Sequence, residues 1–297
     1  MRRPLHSSPA RAIRRLRLTD RDEVLERAWS FGAEGAWDAA AELLRDHLEE
    51  FDEDPAVHCW LGVAERELGM EGVAYERFRR SLALGPEDPY VLATAGNGIA
   101  AFDDPDAEQA LRTAALLAPG VAVTRLLYGA YLAREGMAAD ALVELRAARD
   151  IDPDDPQIAY ELGIAHAFVL DWDGAVDALS DAVRLDPEEG WTRVVLGLVL
   201  LEGDRLEEAT GELVSGARIL ENDVEAQLAA SLAAAASGLD DTAWEMLERA
   251  RLNALDADMV LVTAVEDRLD AGYEAAGEML SDEVGPDLLR SRMSERP

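Results

Sequence analysis

The sequence predicts an all-α fold, a solenoid of about seven to eight helical hairpins. Three observations carry that expectation. Ala and Leu dominate a chain of 297 residues that holds only 6 Trp, 6 Tyr and 5 Phe, a composition that favours helix over strand. A set of small and apolar residues recurs with a period of 34 residues. An Asp-Pro pair opens several of the periods.

The period is clearest in residues 55–88 and in the stretch from 161 to 187. Leu61-Gly62, Ala74, Phe78, Ser81 and Pro86 match Leu162-Gly163, Ala175, Leu179, Ala182 and Pro187, all at an offset of 101 residues. The units between supply the same marks. Residues 89–121 carry Ala95-Gly96, Ala107, Leu111, Ala114 and Pro119, and residues 122–155 carry Tyr128-Gly129, Gly136, Ala141, Leu145, Ala148 and Pro153. Downstream, Leu196-Gly197, Ala209, Leu213 and Gly216 mark 190–223, and Ala230-Ser231, Gly238, Ala243, Leu247 and Ala250 mark 224–257. Upstream, 21–54 fits with Gly35, Ala40, Leu44 and Leu48.

Each unit reads as two antiparallel helices, A then B. Gly163 and Ala175 are small because the two helices cross closely there. Leu162, Leu179 and Ala182 fall at three- and four-residue steps, which gather apolar surface on one face. Pro187 ends helix B. In Asp54-Pro55, Asp88-Pro89 and Asp155-Pro156 the Asp caps free amides, and the Pro takes the first helical position. Asp20 with Glu23 makes a capping-box-like start to the first unit, and Asp104-Pro105 is expected to open helix B of the third.

A 34-residue helical period with these marks resembles the tetratricopeptide repeat (TPR). The resemblance covers residues 20–257 as seven repeats, with 258–284 as a degenerate eighth hairpin or capping helices; residues 285–297 are a tail, polar after Leu289, that reads as a cap or a frayed end. It implies a right-handed superhelix whose concave groove is lined by the A helices. The family's aromatic in helix A is mostly replaced, for example by Glu65 and His166. One hairpin cannot bury its own apolar face, whereas a stack can, so the array is expected to behave as one quasi-one-dimensional domain.

Charge narrows the partners. There are 61 acidic residues against 28 basic ones, giving a net charge of −33, and every basic residue is Arg. A surface of this kind repels nucleic acid and anionic membranes and favours solubility, as in a salt-adapted or high-GC prokaryote. Residues 1–19 are the exception, with six Arg and no acid. They read as a flexible basic leader in which "ARAIRRLRL" places Ile13 and Leu16 on one side of a short helix. The single cysteine, Cys59, fits a reducing compartment, and the longest apolar run, "VVLGLVLL", is too short to span a bilayer, so a cytoplasmic location is expected.

No catalytic or metal constellation is visible, so no enzyme activity and no cofactor is expected. "AGNGIA" at 95–100 lies within a helix A, follows no strand and carries a signature small residue. The four histidines are scattered, and adjacent His58 and Cys59 point in different directions on a helix. Asp154/Asp155 and Asp240/Asp241 read as caps and solvated turns.

The remaining signal lies on the A helices, at the positions that face the groove in the family. Tyr90, Asn97, Leu126, Tyr160, Ile164, Phe168, Trp191, Val194 and Leu198 are the candidate partner-binding residues. Three readings of this apolar stripe stand together: closure of the groove on itself, a site for an amphipathic or extended partner segment, and cover by a tail or a second copy. The carboxylate-clamp subgroup of the family is a poor match. Its grooves present Lys, Arg and Asn; here Asn97 is in place and Arg66 and Arg134 sit at helix edges, but there is no Lys. The expected function is a non-enzymatic scaffold that binds another protein in the groove, as an assembly or chaperone-like adaptor. The alternative is an adaptor tethered to an anionic membrane or nucleic acid through residues 1–19.

Overall fold

Local capping chemistry builds the helices as the sequence anticipates. In a computed structural model, which describes residues 20–296, Asp54 Oδ1 accepts from the amides of Ala56 at 2.8 Å and Val57 at 3.2 Å. Asp88 accepts from Tyr90, and Asp155 from Gln157 and Ile158. Asp20 caps through the Asp22 amide. Asp104-Pro105 opens its helix in the same manner, with Asp104 accepting from the amide of Asp106, where the helix begins. Asp240 and Asp241 lie in the first turn of a helix and not in the preceding loop, where their charge suits the helix dipole.

The chain divides into two compact units, one ending at Pro86 and the other beginning at Glu87. The repeat marks alone place no break there; hairpins that touch mainly their neighbours allow a division at any hairpin boundary. The first unit holds α1 (Arg21–Ala33), α2 (Trp37–His47), α3 (Pro55–Glu67) and α4 (Glu71–Ala83). The second opens with α5 (Pro89–Ala100), α6 (Asp106–Leu117), α7 (Ala122–Arg134) and α8 (Ala138–Ile151). It continues with α9 (Pro156–Phe168), α10 (Trp172–Leu185), α11 (Gly190–Glu202), α12 (Leu206–Ile219), α13 (Val224–Ala236) and α14 (Asp240–Asn253). It closes with α15 (Met259–Ala271), α16 (Tyr273–Met279), a π-helical turn (Leu280–Val284) and α17 (Gly285–Ser294). Odd- and even-numbered helices up to α14 pair as antiparallel A–B hairpins. No strand occurs among the described residues.

The signature residues meet inside the hairpins. A β-carbon built at Gly163 would stand 2.5 Å from Leu179 Cγ and 3.3 Å from the Ala175 carbonyl oxygen. Gly62 meets Phe78, Gly129 meets Leu145 and Gly197 meets Leu213 in the same way. Each A–B turn also bends through a left-handed residue. Glycine fills that place at Gly35, Gly69, Gly136 and Gly238, but Asp103, Leu170 and Asp204 adopt it with φ of 53° to 58°.

In the second unit successive A helices pack on one another, α5 on α7 and α7 on α9, more closely than the B helices do. That puts the A helices on the inner side of its curve. After α14 the pattern changes. α16 turns back onto α13, and beyond the π turn α17 lies on α11. The α16–α17 segment thus retraces the array along its A-helix side.

Candidate protein-binding groove

Six of the nine candidate residues come together. Tyr160, Ile164, Phe168, Trp191, Val194 and Leu198 belong to one apolar cluster of the second unit, which also contains Leu280, Leu288 and Leu289 from the returning segment. Their exposure divides them. Ile164, Val194 and Leu198 are at most 1% exposed. Val194 fills the joint within its own hairpin, where its Cγ2 would lie 2.8 Å from a β-carbon at Gly216 of α12. These three residues are core and not solvent-facing wall. A helix as apolar as α11 is covered on more than one side, so sequence position alone does not say which side is free. Tyr160, Phe168 and Trp191 are half-buried and pack against the cluster as its partly exposed wall. Asn97 and Leu126 are buried away from this cluster, and Tyr90 is exposed on α5.

The occupant of the wall is the chain's own α17. Leu288 and Leu289 are 6% and 5% exposed. One turn on, the Arg292 guanidinium lies 3.5 Å from the centre of the Trp191 ring and donates to Glu225 Oε2 at 3.1 Å. Past the helix the backbone becomes extended at Glu295. Arg296 then donates to Glu135 Oε1 at 2.8 Å and lies 5.3 Å from the Tyr131 ring centre. Arg134 Nε donates to the backbone carbonyl of Glu295. The segment is therefore read through leucines, through guanidinium–aromatic stacking and through its main chain.

Beneath it lies a buried ion pair that sequence reasoning missed. Arg134 of α7 donates from Nη1 to Glu161 Oε2 at 2.6 Å and from Nη2 to Oε1 at 3.1 Å. The two side chains are 4% and 1% exposed. Gln157 also donates to Glu161, and Arg134 to the Ala130 carbonyl. With these partners Arg134 is not offered to an incoming carboxylate, in keeping with the poor clamp match. Burial, and then the Glu161 charge, pushes the neighbouring Tyr160 phenol well above its ordinary value, so Tyr160 stays neutral.

Glu65, one of the replacements for the helix A aromatic, is also 1% exposed. It accepts from Arg45 at 2.8 Å and Arg77 at 3.4 Å and so joins α2, α3 and α4 within the first unit. That unit also holds an apolar pocket of about 250 Å³ lined in part by Trp29, Trp37 and Trp60. Among the described residues there is no cluster of metal-ligating side chains, and no helix is long and apolar enough to cross a membrane. The basic leader, residues 1–19, lies outside the described residues.

Repeated A–B hairpins with a glycine of helix A against a large apolar residue of helix B decide the architecture. The fold is that of tetratricopeptide-repeat proteins. The chain is similar to one in the APC/C hetero-tetramer Cut9–Hcn1, at 18% identity and a TM-score of 0.68, over 84% of this chain and 49% of that one. It thus spans about half the length of that relative. It is also similar to a tetratricopeptide repeat protein from Parabacteroides merdae, at 11% identity, a TM-score of 0.58 and 86% and 98% coverage of the two chains. A third similar structure is PilW, described as a widely conserved type IV pilus biogenesis factor, at 14% identity, a TM-score of 0.58 and 66% and 92% coverage. No protein-family model matches the sequence, and no curated protein matches it significantly.

Proposed function

We propose that the protein is a non-enzymatic TPR scaffold that binds a segment of another protein on the A-helix side of its second unit, as a cytoplasmic assembly or chaperone-like adaptor. One observation carries this reading: that side already accommodates a helix, seated on the Trp191 wall by two leucines and an arginine. A surface that holds α17 has the shape and chemistry to hold a helical ligand. The presence of the similar Cut9–Hcn1 chain in a hetero-tetramer supports a protein partner. Tyr160, Phe168 and Trp191 are the binding wall, with Ile164, Val194 and Leu198 holding it from behind.

The test is paired affinity capture from native lysate at its native salt. The baits are the full chain and a Phe168→Glu, Trp191→Glu variant matched to it by circular dichroism. A protein retained by the first and lost by the second is expected. Identical captures from two folded baits would refute groove binding.

A further inference from the structure

The α17 segment is more than a cover, because its chemistry describes a ligand. This inference rests on the groove reading above and deepens it. The contacts are specific and ordered along the segment: Leu288 and Leu289 in the apolar cluster, Arg292 on the Trp191 face, the Glu295 carbonyl on Arg134, and Arg296 at Glu135 and Tyr131. The receiving surface offers two carboxylates and two aromatic faces to the two guanidinium groups. That complementarity selects a basic amphipathic ligand on a protein whose net charge is −33.

The seat is also built to be left. The helix is only 10 residues long, too short to persist alone in water. It is joined to α16 by a π-helical turn, an irregular geometry that recurs at functional sites. A β-carbon at Gly285 would come 2.6 Å from the Leu280 carbonyl oxygen, so that junction depends on glycine. Arg292 Nε and Arg296 Nη1 are buried and have no acceptor among the described residues. Water meets those donors once the segment leaves, so its seating carries a desolvation cost that favours release.

We infer that residues 285–296 act as a self-ligand of the groove, and that the partner is an amphipathic helix of the same chemistry. It carries paired leucines, an arginine one turn later and a basic extended exit, and it displaces α17 when it binds. Resident and partner are mutually exclusive, so the apparent affinity is the intrinsic affinity multiplied by the fraction of time the groove is open.

The experiment uses the full chain and a fluorescein-labelled synthetic peptide, GPDLLRSRMSER, with the sequence of residues 285–296. Anisotropy titrations compare the wild type with an Arg292→Glu variant, whose own segment loses Trp191 and Glu225. A Leu288→Asp, Leu289→Asp variant serves as a second released form, and helicity is checked for each. The peptide is expected to bind the released chains at least tenfold more tightly than the wild type. Adding Trp191→Glu to a released chain is expected to abolish binding, as is replacing both peptide arginines that match Arg292 and Arg296 by Glu. Equal affinity for wild-type and released chains would overturn the inference, and so would undiminished binding of the Glu-substituted peptide. A concentration-dependent dimer of the wild type, dissociated by Arg292→Glu, would overturn it in favour of a second copy's segment. Failure of the peptide to bind released chains makes α17 a fixed cap, and the lysate capture then stands or falls separately.

Discussion

Gly163→Ala tests the packing rule that underlies the whole repeat. The added β-carbon would stand 2.5 Å from Leu179 Cγ and 3.0 Å from its Cδ2. Carbon atoms in contact prefer about 3.5–4.0 Å, so the overlap is about 1 Å. Leu179 is fully buried and has no room to retreat. Overpacking of this kind costs about 1–3 kcal/mol, while Gly to Ala inside a helix returns up to about 1 kcal/mol. The expected net loss is about 1–2 kcal/mol. In a Leu179→Ala background, itself destabilised by about 2–5 kcal/mol, the two closest contacts are gone and only the Ala175 carbonyl oxygen at 3.3 Å remains. There the same Gly163→Ala change is expected to stabilise by about 0.5–1 kcal/mol. Urea titrations of the four proteins read the cycle. Native-state hydrogen exchange of α9 and α10 gives the local value, since repeat arrays need not unfold in one step. An effect of the same sign in both backgrounds would refute the close-approach account.

Three further outcomes follow from other contacts. Leu170 adopts a left-handed conformation while 70% exposed, so Leu170→Gly is expected to stabilise by about 1 kcal/mol in the same titration, and a loss would show that the side chain matters more than the backbone. Glu161→Gln strands the Arg134 charge in the interior and is expected to cost about 3–5 kcal/mol, much of it recovered in Arg134→Met, Glu161→Leu; a neutral single variant would contradict the buried pair. The Asp171 carboxyl is held below its ordinary 3.8, first by the Gly174 amide it accepts from and then by His166. Its folded-state pKa is depressed, so its contribution is complete above 3.8 and is lost as pH falls through the folded-state value. The thermal-midpoint gap between wild type and Asp171→Asn should therefore narrow on acidification below 3.8, and a gap independent of pH would exclude that role for the charge.

The repeat was legible because its residues answer to local rules. Gly163, Ala175 and Leu179 report a close crossing by size alone, and Asp54, Asp88 and Asp155 report helix starts by capping chemistry. The left-handed turn was legible only where glycine fills it; Leu170 in the same place carries no such sign. The apolar stripe was visible on the A helices, but not which of its residues face inward. Val194 and Trp191 sit three positions apart on α11, yet one fills a joint within the hairpin and the other stacks on Arg292. The seating of α17 depends on contacts with residues far away in the chain, and a 10-residue helix with one leucine pair has too little periodicity to announce a binding face. For the buried ion pair a signal did exist. Glu161, directly before Leu162-Gly163, is the only acid in a mostly apolar helix, and a charge there requires a partner.

The direction in which the returning segment runs has a consequence for synthesis. Residues 285–296 leave the ribosome after every helix they cover. Until they arrive, Trp191 lacks that cover on a nascent array whose earlier hairpins can already fold. The unfinished chain thus shows apolar surface during an interval in which it has no helix of its own to cover it. Completion of the segment ends that interval, since from then on any other helix reaching this surface must first displace α17.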